Sequence, residues 1–316
     1  MEKAKKLQTE IKNIFGDAPV NLVGGSVRDI ILGREPKDWD YCTSLTPDEI
    51  EKNIQDAGRK AYSIGKRFGT IGFKLPILDD SGNVEYVYVE VTTYRTDKYD
   101  GKSRKPEVDF TDDLMLDLSR RDFTINSIVL KDDEYFDPHG GRLDILAKKI
   151  KAVGMGKDRI IEDPLRMLRA ARFASQLGFE VDPNFIGVMR QHASEITRVS
   201  KERWIAELDK LLMGKSPLSG IAILVNTDVM KYMIPEVWLA WQDAWVEGDF
   251  EFGISDGDTL DDRWNKLFNN IGYPFTETES KGQLKYPKHE VVRKELLIGI
   301  CERLKFSNDR TKHLLK

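Results

Sequence analysis

Cysteine is almost absent from this sequence of 316 residues: Cys42 and Cys301 are the only two, 259 positions apart. Their scarcity excludes a cysteine zinc cluster and a disulfide framework, and it fits a reducing compartment. No apolar run approaches the roughly 20 residues that a bilayer-spanning helix needs, so no membrane partner is expected. The stretch MEKAKKLQTEIKNIFG is a charged amphipathic helix without the apolar core of a signal peptide, and its acidic residues argue against a transit peptide. A cytoplasmic location is therefore expected. Internal repeats and low-complexity tracts are missing too. What remains, 40% hydrophobic and 32% charged residues, suits a globular protein of two or three modules.

Neither sign of charge dominates: 49 Lys and Arg face 53 Asp and Glu, a formal net charge of −4. The total argues mildly against a nucleic-acid partner, but it is a sum over unlike regions. Glu236 to Asp262 holds nine acidic residues and no basic one; Arg142 to Lys215 holds fifteen basic against ten acidic, and Lys281 to Lys316 ten against four. Such asymmetry makes the regional pattern more informative than the sum.

The first 137 residues read as mixed α/β. VNLVGG is a short strand ending in a glycine pair, a helix follows from Val27 to Leu32, and Trp39 to Cys42 is a short apolar-flanked segment. A helix is expected from Pro47 to Ala57, and TIGFKL and VEYVYVEVTTY read as strands joined through Gly82-Asn83. From about Leu143 strand signals vanish and helical periodicity takes over. The clearest helix starts at Asp163 as N-cap, with Pro164 at its first position and Gly178 as its stop; another runs from Ser200 to Gly214. The acidic, glycine-containing stretch from Glu247 to Asp262 reads as a loop.

Three constellations could carry chemistry. In GGSVRD followed by KDWDY, Asp38 and Asp40 are two apart, so on an extended segment both carboxylates share a face. That pair suits Mg²⁺, which is held by one or two carboxylates plus substrate phosphates; two ions about 3.5–4 Å apart serve phosphoryl chemistry. Gly24 and Gly25 let backbone N–H groups approach a phosphate, and Arg28 adds charge. Taken singly, Asp-x-Asp is a common surface pattern and Gly-Gly a common turn. Glu90, on an otherwise hydrophobic strand, is either solvent-facing or a third carboxylate beside the metals. In SRRDFTIN, Arg120, Arg121, Asp122 and Asn126 have the groups to clamp a triphosphate and bond a ribose; the bland reading is a turn with Asp122 paired to a neighbouring arginine. In IEDPLRMLRAARF, a helical wheel gathers Glu162, Asp163, Arg166 and Arg169 within a sector of about 120°. A salt-bridged solvated face is the ordinary reading. The alternative is base reading: cytosine and adenine both present an amino donor beside a ring-nitrogen acceptor. A carboxylate and a guanidinium side by side match both, while guanine and uracil would leave buried groups unpaired.

With LVGGSVRDIILGREPKDWDY, RRDFTIN, DPHGGRLDI and EDPLRMLRAARFASQLGF in this order, residues of about 20–215 resemble the bacterial-type (class II) tRNA nucleotidyltransferases, the CCA-adding enzymes, and the related bacterial poly(A) polymerases. The resemblance implies an α+β polymerase-β-like nucleotidyltransferase head over 1–140, then an all-α neck over 141–216 and body over 217–316. It implies template-independent addition of CMP and AMP from CTP and ATP to the 3′ end of tRNA, with two Mg²⁺ at Asp38 and Asp40. Ribose and triphosphate contacts fall to 120–126 and base selection to Asp163 and Arg166, with Glu162 orienting Arg166. The tRNA acceptor arm is the implied partner, and no DNA is expected. Asp97 to Pro106 looks like the family's flexible loop, in which Arg104 would help switch from C to A addition.

Two departures bear on this. Residues 266–290 align with a region where some relatives carry a metal-dependent HD phosphohydrolase motif; here its His-Asp is Asn269-Asn270, so no hydrolase activity is expected although His289 remains. The sequence also ends at HLLK, short of the usual body and tail. A poly(A) polymerase, which typically carries a long basic tail, is the nearest alternative, followed by enzymes adding only CC or only A, and by a non-catalytic RNA-binding remnant.

Overall fold

The computed structural model describes residues 2–78, 81–98, 107–247, 253–280 and 283–316. They divide into two units, 1–155 and 156–316.

The first unit is built on alternation. Helix α1 (Glu2–Phe15) leads into β1 (Asn21–Val23), α2 (Gly25–Ile31), β2 (Trp39–Thr43) and α3 (Pro47–Asp56). There follow β3 (Ala61–Tyr62), β4 (Thr70–Leu78), β5 (Val84–Thr93), β6 (Arg95–Lys98), β7 (Glu107–Phe110), α4 (Leu114–Ser119), β8 (Val129–Lys131), β9 (Glu134–Phe136) and α5 (Gly141–Leu146). Seven strands form one sheet in the order β3-β4-β5-β2-β1-β8-β9, and β6 pairs with β7 apart from it. Every pairing within the large sheet is antiparallel except that of β2 with β5, which is parallel and sets Asp40 opposite Glu90.

Odd-numbered residues of the central strands (Trp39, Tyr41, Ile71, Phe73, Leu75, Val87, Val89 and Val91) are buried beside Leu7, Ile11 and Phe15 of α1 and Ile50 and Ile54 of α3. The rings of Phe15 and Phe73 meet edge-on at 6.3 Å. Helix α3 starts as its sequence demands: Thr46 and Glu49 exchange bonds in a capping box ahead of Pro47. On the opposite face a smaller cluster, Val23, Cys42, Tyr94, Leu118 and Val129, seals one end of the sheet. Beyond it that face carries Asp40, Glu90 and Tyr88. The fold thus buries one side of β2 and β5 and leaves the other for polar groups.

The second unit contains α6 (Gly156–Glu162), α7 (Leu165–Leu177), α8 (Pro183–Gln191), α9 (Lys201–Leu212), α10 (Pro217–Asn226), α11 (Val229–Met233), α12 (Pro235–Glu247), α13 (Leu260–Leu267), α14 (His289–Leu304) and α15 (Asn308–Leu314). Helix α7 is its axis, because Ala170, Ala171, Ala174 and Ser175 are small enough for α9 and α10 to come close. A Cβ at Gly220 would sit 2.7 Å from the Ala171 carbonyl oxygen. Ser175 Oγ donates to the Leu211 carbonyl at 2.6 Å, and buried Arg172 and Glu207 pair at 3.1 Å. Trp264, fully buried, stacks on Phe268 and donates to Asp209 at 2.6 Å.

Three local expectations need correction. The helix expected from Asp163 begins at Leu165, with Pro164 as its cap residue and the Asp163 carboxylate accepting from the Leu165 N–H at 3.1 Å. The stretch 247–262 is not loop throughout, because Thr259 and Asp262 form a capping box that opens α13. Strands also recur in the helical half: Thr278–Ser280 pairs with Gln283–Lys285.

Candidate active site

The Gly24-Gly25 turn joins β1 to α2. Gly24 takes φ +74°, a conformation costly for any residue with a Cβ. A Cβ there would also meet Arg121 Nη1 at 3.1 Å. Ser26 follows, and its Oγ accepts from the Asp40 N–H at 3.1 Å and donates to the Asp38 carbonyl at 2.9 Å. One hydroxyl therefore pins the backbone on both sides of Trp39. Nothing in the sequence beyond its place after Gly-Gly marks Ser26 for that task.

Asp40 and Glu90 are register partners on adjacent parallel strands, so their side chains share the open face. Burial, the charge of Glu90 and that of Asp38 push the Asp40 carboxyl up to about 6, against the opposing pull of Arg121. Glu90 is half-buried, and burial and Asp38 raise its carboxyl also. Glu90 thus lies on the uncovered face of the sheet, beside Asp40, and is neither fully exposed nor part of the covered core. Among the described residues no three His, Cys, Asp or Glu side chains are grouped so as to hold a metal ion by themselves, so any ion here would complete its shell with substrate and water. The set is all oxygen, mutually repelling and open on one side. It fits Mg²⁺, a hard cation that keeps positions for water and phosphate.

The arginines are held from below. Asp117, 1% exposed, accepts from Arg120 Nε and Nη2 on one oxygen at 3.1 and 2.8 Å, and from Arg121 Nε and Nη2 on the other at 3.3 and 2.9 Å. Burial works to raise the Asp117 carboxyl, but Arg121 and Arg120 outweigh it and hold the group below the usual range. Arg120 also reaches Asp97 at 3.1 Å. Both guanidinium groups thus rest on Asp117, which the sequence marks only by its place three and four residues before them, the spacing of helical ion pairs. Asp122 Oδ1 accepts from the Phe123 N–H at 2.8 Å and from Asn126 Nδ2 at 3.1 Å. Asn126 Oδ1 in turn accepts from Arg28 Nη1 at 2.7 Å, and Arg28 also chelates Asp29. Gly141 lies so close to Thr124 that a Cβ would fall 2.1 Å from its carbonyl oxygen, and Asp144 accepts from the Thr124 hydroxyl at 2.6 Å. The DPHGGRLDI segment is therefore a buttress for residues 120–126.

In the second unit, Glu162 closes α6 while Arg166 lies in α7, so one helical wheel cannot describe them. Their proximity comes from the break between. Glu162 accepts from Arg159 Nη2 at 2.6 Å and from Arg166 Nη1 at 2.7 Å, and Arg166 also bonds the Arg159 carbonyl at 3.2 Å. Asp163 pairs with Arg203 at 3.1 Å, and the Arg169 guanidinium lies 5.4 Å from the Phe173 ring centre. His289 opens α14 with Nδ1 2.8 Å from the Tyr286 carbonyl and its ring edge-on to Tyr273. Arg104 lies outside the described residues.

A mixed sheet with a Gly-Gly turn, acids on its central strands and a clamped arginine pair defines a nucleotidyltransferase-type head. Residues 20–151 match the model of the Poly A polymerase head domain, and residues 178–240 match that of the probable RNA and SrmB-binding site of polymerase A. The CCA-adding enzyme of Lactococcus lactis subsp. cremoris is 38% identical over 255 residues, 79% of this chain and 60% of that protein. That of Levilactobacillus brevis is 40% identical over 213 residues, 67% of this chain and 50% of that protein. Among solved structures, the Bacillus stearothermophilus CCA-adding enzyme in complex with CTP aligns with a TM-score of 0.65 at 24% identity, covering 98% of this chain and 74% of that one. The chain belongs to the family of tRNA nucleotidyltransferases and bacterial poly(A) polymerases. It spans about three-fifths of the length of the Lactococcus relative.

Proposed function

We propose that the chain adds CMP and then AMP, from CTP and ATP, to the 3′ end of tRNA without a template. The observation that carries this reading is the pairing of Asp40 with Glu90 on the open face of the sheet, beside the Arg120–Asp117–Arg121 clamp. Asp38, Asp40 and Glu90 would hold Mg²⁺, as two ions; bound there, the metal lowers the cost of a nucleophilic hydroxyl and of charge building on the phosphates. The RNA 3′-hydroxyl attacks the α-phosphate, and pyrophosphate leaves. Gly24 and Gly25 admit the phosphates close to the backbone, Arg28, Arg120 and Arg121 neutralise them, and Asp122 and Asn126 bond the ribose.

Asp163 and Arg166 read the base, with Glu162 fixing the guanidinium of Arg166 and Arg169 beside it. The functional division follows: a catalytic head over 1–140, a base-selecting neck over 141–216 and a body over 217–316. Fifteen basic residues from Arg142 to Lys215 favour the neck as the surface that holds the acceptor arm through its phosphates. Among the described residues no helix is long and apolar enough to cross a membrane; the proposed site of action is the cytoplasm.

The test is incorporation of labelled CTP or ATP, with Mg²⁺, into tRNA transcripts ending before, within or after CCA. Growth that stops at CCA is the expected result. A long A tail would mean a poly(A) polymerase instead, growth limited to CC or to the final A would mean a partial enzyme, and no incorporation by any transcript would overturn the proposal.

A further inference from the structure

The open face of the sheet does not end at its carboxylates. Two residues before Glu90, Tyr88 stands on the same side of β5 and is 46% exposed. Its ring lies down across β4: a Cβ placed on Gly72, the register partner of Glu90, would fall 2.0 Å from Tyr88 Oη and 2.6 Å from Cζ. Only glycine at 72 leaves room for that posture. Tyr62, opposite Gly72 on β3, continues the row, its ring 6.2 Å from that of Tyr88 at an angle of 49°. Lys60 Nζ lies 5.5 Å from the Tyr62 ring centre, and exposed Lys74 is the register partner of Tyr88. A line of aromatic surface with flanking cations therefore runs from Glu90 to the edge strand.

Exposed rings bordered by lysines are the chemistry that receives single-stranded nucleic acid: bases stack on π faces while cations meet the phosphates. We infer that Tyr88 and Tyr62, with Lys60 and Lys74, form a shelf on which the unpaired 3′ nucleotides of the RNA substrate stack, just upstream of the hydroxyl to be extended. The inference rests on the proposed function for the direction of the strand, since the reacting hydroxyl belongs at the carboxylates. Continuity with Glu90 and the lysine charges favour RNA over a protein partner. The ordinary alternative is that Tyr88 merely shields the backbone at Gly72, a stabilising role known for aromatics beside strand glycines.

Binding of fluorescent RNA hairpins to the full-length chain, without nucleotide, separates the two. One hairpin carries a three-nucleotide 3′ overhang and the other is blunt. Tyr88→Leu keeps an apolar cover over Gly72 but loses the π face, and about tenfold weaker binding of the overhang hairpin is expected, with the blunt hairpin unchanged. Tyr88→Phe should bind as the parent does. Lys60→Ala should reduce the salt dependence of binding by about one counterion, whereas Tyr88→Leu should not. If Tyr88→Leu binds both hairpins like the parent, the shelf is refuted, whatever its thermal midpoint. A parent protein that incorporates no nucleotide yet prefers the overhang through Tyr88 would refute the proposed function and leave the shelf standing. Incorporation with no effect of Tyr88→Leu on overhang binding would do the reverse.

Discussion

Asp117 and Arg121 are locked together: one buried carboxylate oxygen takes two N–H groups of the guanidinium, at 3.3 and 2.9 Å, while the other oxygen does the same for Arg120. A single acid thus sets the direction of two cations, and Arg121 reaches from it to the Gly24 turn.

Replacing that acid by its neutral isostere tests the arrangement. Hydrogen bonds to charged groups contribute roughly 1.5–3 kcal/mol each, so Asp117→Asn should lower kcat/KM for CTP by about 10- to 100-fold. Steady-state kinetics should assign most of the loss to the nucleotide, with RNA binding nearly intact. Equal losses for both substrates would point to general unfolding.

Ser26→Ala removes the hydroxyl that ties the Asp40 N–H to the Asp38 carbonyl and takes from this part-buried amide its side-chain partner. A loss of about 1–3 kcal/mol in denaturant unfolding is expected, together with a slower incorporation rate at saturating nucleotide. Ser26→Thr, which keeps the hydroxyl, should recover part of the rate if the extra methyl is accommodated.

Glu162→Gln weakens the grip on Arg166 without emptying the space. Nucleotide choice should relax, seen as a higher ratio of UTP to CTP incorporation in single-nucleotide extension, while overall extension with CTP falls less. An unchanged ratio would remove Glu162 from base selection.

Asp40 is crowded by burial, Glu90 and Asp38, all of which disfavour its charge. Asp40→Asn should therefore raise the thermal midpoint of the protein in a chelating buffer at neutral pH while abolishing incorporation. The sign follows from repulsion: the variant discards a charge that the folded state holds at a cost. A lower midpoint would contradict the proximity of the three acids.

In the helical unit, Gly214→Ala would put a Cβ 2.1 Å from Ser175 Oγ and 2.8 Å from its backbone carbon. Overpacking of this kind costs about 1–3 kcal/mol, which a shifted denaturant midpoint with an unchanged slope would reveal.

The local devices were legible from the sequence. The Gly-Gly turn, the Asp-x-Asp pair and the Thr46 cap each lie within a few residues and follow from alternation and capping chemistry. Glu90 was ambiguous because alternation says which residues share a face but not which face is covered. That is decided by α1 and α3, distant in sequence, and by the parallel pairing of β2 with β5, which leaves no local signature. Asp117 is hidden within LMLDLS, where apolar neighbours mask an acid whose partners follow three and four residues later. The Glu162–Arg166 pair does not lie on a single helix, as a helical wheel supposes. Pro164 ends one helix and starts another, so Glu162 meets Arg166 across a break and not along one turn-by-turn face.

The one parallel pairing in the sheet has a kinetic consequence. Asp40 and Glu90 become neighbours only when a chain segment of 50 residues has closed behind them. Closing so long a loop is slow compared with forming the local contacts of the helical unit. The acidic centre should therefore assemble after the local hairpins of the head, such as β4 with β5, and a nascent chain that has not yet emerged past β5 has no such centre at all.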